Sequence, residues 1–134
     1  MEQRLGGVAM VLTKSEMEIM DVLWQSDCAL SRADLLARNE DKNWKDSSVH
    51  ILLNGLLHKG AICEHGFVKR SKTYGRTFLP TMTREEYFAN TVFSYRNKPE
   101  MVGLIAALLQ RPEIDAQTLA AIDALVQQKK KEMK

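Results

Sequence analysis

The stretch from Asn43 to Gly60 constrains the fold of this 134-residue chain more than any other. Its sequence is NWKDSSVHILLNGLLHKG. The apolar residues recur three and four positions apart, which is the spacing of a helix buried along one side: Val49, Leu52, Leu53, Leu56 and Leu57. Asp46 is predicted to cap the start of this helix, and Gly60 to end it in the left-handed conformation. We therefore predict one helix of about 13 residues, close to the usual length.

The opposite side of this helix is predicted to be free. It carries small or polar side chains in a combination that suits no catalytic role: Ser47, Ile51, Asn54, Gly55 and His58. An ordinary amphipathic helix would show the same apolar pattern, so the flanking sequence has to decide between the two interpretations.

Length and composition allow one good core, or a small core with a helical appendage, since 45% of the residues are hydrophobic. Cys28 and Cys63 form neither a disulfide framework nor a paired-cysteine metal motif, which favours a reducing compartment. The first residues lack the features of a signal peptide, and no apolar run is long enough to span a membrane. We expect a cytoplasmic protein without membrane insertion.

Two shorter helices are predicted before the central one. Thr13 and Glu16 have the spacing of a capping box, and the Met and Trp residues that follow form an apolar stripe typical of a core. Ser31 and Asp34 mark the start of the second helix. Helices this short must pack on one another to be stable, and the second and third are predicted to form a helix-turn-helix pair.

A β-hairpin is predicted after Gly60, where the period of the pattern changes to two. Ala61 to His65 alternates, a turn-prone stretch begins at Gly66, and Thr73 to Leu79 forms a second strand that ends at Pro80. The predicted tip carries three bases, Lys69, Arg70 and Lys72, and residues 43–80 have a net charge of +4. A solvated hairpin end would explain the tip alone. Three helices followed by a basic hairpin, however, are typical of a winged helix-turn-helix that contacts phosphates.

The remainder of the chain is predicted to be helical, with breaks at Pro99 and Pro112. Thr83 and Glu86 repeat the capping-box spacing. The apolar surface of these helices exceeds what a tail of about 50 residues can bury, which favours an interface between subunits. We predict a winged-helix DNA-binding domain at 1–82 and a helical dimerisation domain at 83–134, held together through Tyr87, Val92, Phe93, Leu104, Leu108, Leu119, Ile122, Leu125 and Val126. The fold class is thus mainly α with a small β-hairpin wing.

Enzymatic activity is not expected. The sequence contains no phosphate-binding loop, dinucleotide-binding fingerprint, zinc-protease motif or nucleophile elbow. A soft metal site built on Cys63 and His65, joined by Cys28, His50 or His58, is the best argument for an enzyme or a metal sensor, but these residues lack the spacing of a metal motif. We expect no cofactor and no metal.

The chain resembles the BlaI/MecI/CopY family of penicillinase repressors. The first helix, LTKSEMEIMDVLW, is similar to the opening helix of that family, and GRTFLPTMTREEY is similar to the sequence after its wing. The central helix retains Trp44, Ser47, Val49, Leu52, Leu53, Asn54, Leu56, Lys59 and Gly60. The resemblance covers Leu12 to Tyr87 well, and the rest as a helical pattern.

This resemblance implies a homodimer that places two recognition helices in successive major grooves of a dyad operator and represses transcription. It also implies a membrane sensor-protease or copper as a possible means of release. The sequence departs from the family at Ile51, where Thr is usual, and at Gly55, where Arg is usual. The Asn-Phe cleavage pair is absent at Ala107-Leu108, as is the C-terminal cysteine motif of the copper-responsive members.

Double-stranded DNA is therefore the predicted partner. Phosphate contacts are assigned to Thr13, Ser31, Lys45, Lys69, Arg70, Lys72 and Arg76, and base contacts to Ser47, Ser48, His50, Ile51 and Asn54. Asn54 suits adenine, and Ile51 suits the methyl group of thymine. The alternative is a winged-helix protein-interaction module whose DNA-binding face has decayed, and the absence of Arg at Gly55 is its main support.

Overall fold

A computed structural model describes residues 10–38, 44–70 and 73–134. The chain divides into two compact units, Met1–Arg96 and Asn97–Lys134. The first helix of the predicted dimerisation domain thus belongs to the first compact unit. The division between 82 and 83 was drawn at the start of the predicted C-terminal helices, and it stays a prediction.

The elements of the first unit follow the order of a winged helix. They are α1 (Lys14–Gln25), β1 (Leu30–Ser31), α2 (Arg32–Ala37), α3 (Asp46–Lys59), β2 (Ile62–Arg70), β3 (Thr73–Pro80) and α4 (Arg84–Ser94). The second unit contains α5 (Met101–Leu109) and α6 (Ala116–Glu132). The prediction of a mainly α fold with a small hairpin is confirmed. Residues 39–43, which precede α3, lie outside the described residues.

Local sequence signals determine where the helices begin. The two predicted capping boxes and the predicted start of α2 are confirmed. The hydroxyls of Thr13, Ser31 and Thr83 cap α1, α2 and α4, and the acidic residue three positions later reaches back to each cap. The predicted cap of α3 is wrong by one residue. Lys45 occupies that position, and Asp46 is the first residue of the helix.

The sheet has three antiparallel strands in the order β1, β3, β2. The predicted hairpin is present, but β2 does not end at Gly66. A bulge between Glu64 and Gly66 lets the strand bend there and continue to Arg70, which pairs with Thr73. Strand β1 was not predicted, because two residues are too few to show a period.

The core of the first unit lies between α1, α2, α3 and the sheet. It consists of Ile19, Met20, Leu23, Leu30, Leu35, Trp44, Val49, Leu53, Leu56, Ala61, Ile62 and Phe78. The predicted Met and Trp stripe of α1 is indeed part of this packing. Trp24 joins α1 to α4, since its indole N–H donates to the Met82 carbonyl at 2.9 Å and its ring lies 5.9 Å from that of Tyr87.

Candidate nucleic-acid interface

The exposed side of α3 carries the side chains that were predicted to contact bases. Ser47, His50 and Asn54 are exposed, and Ile51 is 62% exposed. Ser48 is only half-buried and lies at the edge of this side. An exposed isoleucine between polar neighbours gives the helix an apolar contact point surrounded by hydrogen-bonding groups.

The buried side of α3 fixes the direction of the exposed one. Val49, Leu53 and Leu56 are at most 2% exposed and pack into the core, while Leu52 and Leu57 are half-buried. Together they form the predicted stripe, so the helical period alone places the other side chains toward solvent.

Gly60 ends α3 with φ 80°, which is left-handed and favours glycine. The predicted termination is confirmed. Trp44 lies just before the helix, is 6% exposed, and donates its indole N–H to Glu18 of α1 at 3.1 Å. Both ends of α3 are therefore well defined.

Gly55 does not belong to the free side, and that prediction is wrong. A Cβ added at Gly55 would lie 2.8 Å from Oε2 of Glu16 on α1. The glycine therefore faces protein, at a place where any side chain meets a carboxylate. In an exposed helix interior a glycine would lower helix stability by about 1 kcal/mol relative to alanine, with no compensating contact. Sequence periodicity missed this because a residue without a side chain is equally compatible with either side.

Glu16 is a buried carboxylate that joins α1 to the end of α3. It is 5% exposed, and its Oε1 accepts from the Thr13 N–H at 2.8 Å and from Nζ of Lys59 at 2.6 Å. Burial opposes ionisation, but the hydrogen bonds and charge of Lys59 and the hydrogen bonds of Thr13 outweigh it, so the pKa of Glu16 lies below its ordinary value. The group is an anion at neutral pH.

Two residues predicted to contact phosphates are helix caps. The hydroxyl of Thr13 accepts from the Glu16 N–H at 3.1 Å, and Thr13 is exposed. The hydroxyl of Ser31 accepts from the Asp34 N–H at 3.2 Å, and Ser31 is 1% exposed. Thr13 can reach a partner outside the chain, whereas the burial of Ser31 argues against direct contact. Lys45 is exposed beside the start of α3.

A groove of about 360 Å³ lies beside the exposed side of α3. It is lined by Ser31, Arg32, Ala33, Leu36, His50, Leu53, Gly75, Arg76 and Phe78. Arg32 was missed by the sequence analysis, because its place in the groove depends on the packing of α2 against α3 and β3. Two arginines and the exposed His50 make this groove a suitable place for an anion.

The wing contributes one predicted base that the structure describes. Arg76 lies over the Phe78 ring at 5.4 Å, and its guanidinium pairs with Glu64 across the hairpin at 2.8 Å. Lys72 and the side chains of Lys69 and Arg70 lie outside what the structure describes, so the contacts predicted for them stay predictions.

The residues predicted to form a dimer interface differ in exposure. In the first unit, Tyr87 is only 9% exposed and packs on Trp24, Val92 is half-buried, and Phe93 is 53% exposed. In the second unit, Leu108, Leu119, Leu125 and Val126 are exposed, and Leu104 and Ile122 are half-buried. An apolar cleft of about 480 Å³ lies among Ile105, Leu108, Leu109, Ile114, Ile122 and Val126. The contact between Tyr87 and Trp24 already accounts for the burial of Tyr87.

Within residues 10–38, 44–70 and 73–134, no group of three or more His, Cys, Asp or Glu side chains is placed to hold a metal ion. Cys28 and Cys63 are exposed thiols. Over the same described residues, no helix is both long and apolar enough to cross a membrane.

The sequence matches the penicillinase repressor family over residues 12–128. The chain belongs to this family. Its fold is accordingly a winged helix-turn-helix followed by a helical region, and its family is one of DNA-binding transcriptional repressors. No curated protein matches the chain. The solution structure of the DNA-binding domain of the repressor BlaI is similar at 18% identity and a TM-score of 0.48, covering 60% of this chain and 93% of that domain.

Proposed function

We propose that this repressor binds a dyad DNA operator as a homodimer and leaves it in response to a signal. The exposed side of α3, with Ile51 among polar side chains and an arginine-lined groove next to it, is the observation that carries the proposal. A helix of this kind fits the major groove, where every base pair presents a distinct pattern of donors, acceptors and methyl groups.

Base contacts are assigned to the exposed side of α3. The Asn54 amide both donates and accepts, and can pair with the two major-groove positions of adenine. Ile51 can contact a thymine methyl group, and Ser47 and His50 can each donate to or accept from a base edge. Ser48 is half-buried and is the least favourably placed of the five. The operator half-site is therefore proposed to contain A·T pairs opposite the middle of α3.

Phosphate contacts orient the helix without reading sequence. We assign them to Thr13 and Lys45 beside α3, to Arg32 and Arg76 in the groove, and to the wing residues Lys69, Arg70 and Lys72. Arg76 would exchange its surface ion pair with Glu64 for a phosphate. That exchange costs little, because exposed ion pairs contribute about 0–1 kcal/mol.

The dimer is proposed from the apolar surface of the second unit. Val102, Ile105, Leu108, Leu119, Leu125 and Val126 are each 45% exposed or more. A patch of this kind is typical of an interface, and a two-fold interface repeats it on both subunits. Two α3 helices related by a dyad would read half-sites about one helical turn apart. A sensor-protease or other signal partner is proposed from the family resemblance alone.

Selection of duplexes from a random DNA pool tests this function directly. We expect an enriched sequence with dyad symmetry, bound by two chains, with an affinity that falls as salt rises. Asn54→Ala should lose about 1–3 kcal/mol of discrimination, the range for a bidentate contact, and Ile51→Ala should also lower it. His58→Ala changes an exposed residue of the same helix and serves as a matched control. A pool without enrichment, or one chain per duplex, would contradict the proposal.

The alternative of a protein-interaction module has lost its main support. That support was the absence of a basic residue at Gly55 on the supposed DNA face. Because Gly55 faces Glu16 of α1, its identity is explained by packing between helices. Nothing at this position then indicates a decayed DNA-binding face.

A further inference from the structure

The contact between Glu16, Gly55 and Lys59 is more specific than helix packing requires. A glycine weakens a helix interior, and burying a carboxylate has a desolvation cost. An apolar pair of similar volume is often as stabilising as a buried ion pair. Stability alone therefore does not explain why an ion pair rather than an apolar pair occupies this point of α3.

The contact fixes one position of α3 relative to α1. Oε1 of Glu16 is held by the Thr13 N–H at 2.8 Å and by Nζ of Lys59 at 2.6 Å, while Oε2 faces Gly55. Lys59 also donates to the Val11 carbonyl at 2.8 Å. The carboxylate is thus bonded to the backbone at the start of α1 and to a side chain at the end of α3.

The other end of α3 is bonded to the same helix. Trp44, which precedes α3, donates to Glu18 of α1 at 3.1 Å. Helix α3 is therefore attached to α1 at both ends, and the exposed side chains from Ser47 to Asn54 lie between the two attachments.

Base recognition is sensitive to displacements of α3 by a fraction of an ångström. A Cβ at Gly55 would be about 0.6 Å closer to Oε2 than the 3.4 Å at which ordinary contact begins. Direct hydrogen bonds to base edges form only over a few tenths of an ångström around 2.9 Å. Because Oε2 is the far end of a flexible side chain, an alanine at Gly55 is accommodated by a shift of the Glu16 carboxylate, which disturbs the bond between its Oε1 and Lys59.

We propose that Glu16 is a positioning residue for DNA recognition, acting through Gly55 and Lys59 to hold the exposed side of α3 at the position where it reads bases. The proposal rests on the proposed function for its biological meaning. Because Glu16 is 5% exposed, it is proposed to act without touching DNA itself.

Charge makes the test sharp. Glu16→Gln keeps a side chain that can complete the capping box, but it removes a negative charge, which by itself should tighten binding to any DNA. If Glu16 positions α3, the same substitution should instead weaken binding to the specific sequence. Gly55→Ala changes no charge and raises helix propensity, so neither electrostatics nor helix propensity would weaken DNA binding in this variant. Exposed His58→Ala is the matched control on α3.

The experiment compares a duplex that the wild type selects from a random pool with a scrambled duplex of equal length and composition, at a temperature where circular dichroism shows each full-length variant folded. We expect Glu16→Gln and Gly55→Ala to lower the ratio of the two affinities about tenfold, within the range that one base contact contributes. Binding to the scrambled duplex should not weaken, and His58→Ala should keep the ratio. A ratio within twofold of wild type in both variants would overturn the proposal.

A measurement without DNA separates this proposal from the proposed function. Residual dipolar couplings of the free protein report the orientation of α3 relative to α1. We expect a change in Gly55→Ala and none in His58→Ala. If the Gly55→Ala variant keeps the orientation of α3 although Glu16 has lost its bond to Lys59 and its pKa has returned to the ordinary value, Glu16 does not position α3 and the proposal is refuted. Reorientation of α3 in a protein that selects no sequence would instead refute the proposed function.

Discussion

The buried carboxylate of Glu16 should make stability depend on pH in a way that one substitution removes. The pKa of Glu16 in the folded chain lies below the ordinary value of 4.5, because the bonds from Lys59 and Thr13 outweigh the effect of burial. A group whose pKa is lowered by folding stabilises the fold above its unfolded pKa, and this contribution is lost as pH falls through the folded value. The window of interest therefore lies below pH 4.5.

The size of the effect follows from the geometry. Glu16→Gln can retain the bond to the Thr13 N–H and loses the ionic part of one 2.6 Å bond to Lys59, whose side chain is 32% exposed. We expect a loss of about 1–2 kcal/mol in the free energy of unfolding at pH 7, within the range for hydrogen bonds to charged groups. Below the folded pKa the wild type carries a neutral acid at this position, so the difference between the two proteins should approach zero.

Urea unfolding at one fixed protein concentration, from pH 7 down to pH 3, measures this difference. Other carboxylates titrate in both proteins and cancel in it, including Glu113 and Asp115, whose pKa values are lowered by Arg111 and by the Thr118 N–H respectively. Asp27→Asn, which changes an exposed carboxylate in the loop after α1, is the matched control and should differ little from wild type at any pH. A difference for Glu16→Gln that stays constant with pH would refute the assigned ion pair.

Three other predictions follow from the same structure. Replacing the wing bases Lys69, Arg70 and Lys72 by alanine should weaken binding to all sequences alike. The slope of log affinity against log salt, measured by titrations at several salt concentrations, should become shallower by up to about 3 units. A fragment of residues 1–96 should fold and sediment as a monomer, and a stable dimer would contradict the proposed interface. Trp24→Phe should lower the free energy of unfolding by about 1 kcal/mol in urea titrations, because the Met82 carbonyl loses its indole donor.

Periodicity and capping chemistry predicted most of the fold because they act over a few residues. The three capping boxes, the stripe of α3 and the left-handed end at Gly60 all depend on neighbours within about one or two helical turns. The cap of α3 was misplaced by one residue because Lys45 and Asp46 are adjacent and only the acid has a capping side chain. Strand β2 was cut short because Gly66 indicates a turn in sequence, whereas the structure uses it in a bulge.

The candidate site was predicted less completely, because part of it depends on contacts between distant residues. Exposure of Ser47, His50, Ile51 and Asn54 follows from the stripe they oppose. The groove with Arg32 does not, since it forms where α2, α3 and β3 meet. Likewise, Tyr87 has the pattern of an interface residue, and only the packing of α4 on Trp24 shows that it lies within one chain.

Glu16 shows how one residue can satisfy a local rule and a distant one together. Its place in LTKSEMEIMDVLW is fully explained by the capping box, so the sequence offers no reason to look further. The same carboxylate meets Gly55 and Lys59, and the glycine is not explained within its own helix. A Gln at this position can cap α1 equally well, but it cannot form the ion pair. The ion pair with Lys59 is therefore one physical reason for Glu over Gln, beside the helix dipole of α1, and it links the start of the first helix to the helix proposed to read DNA.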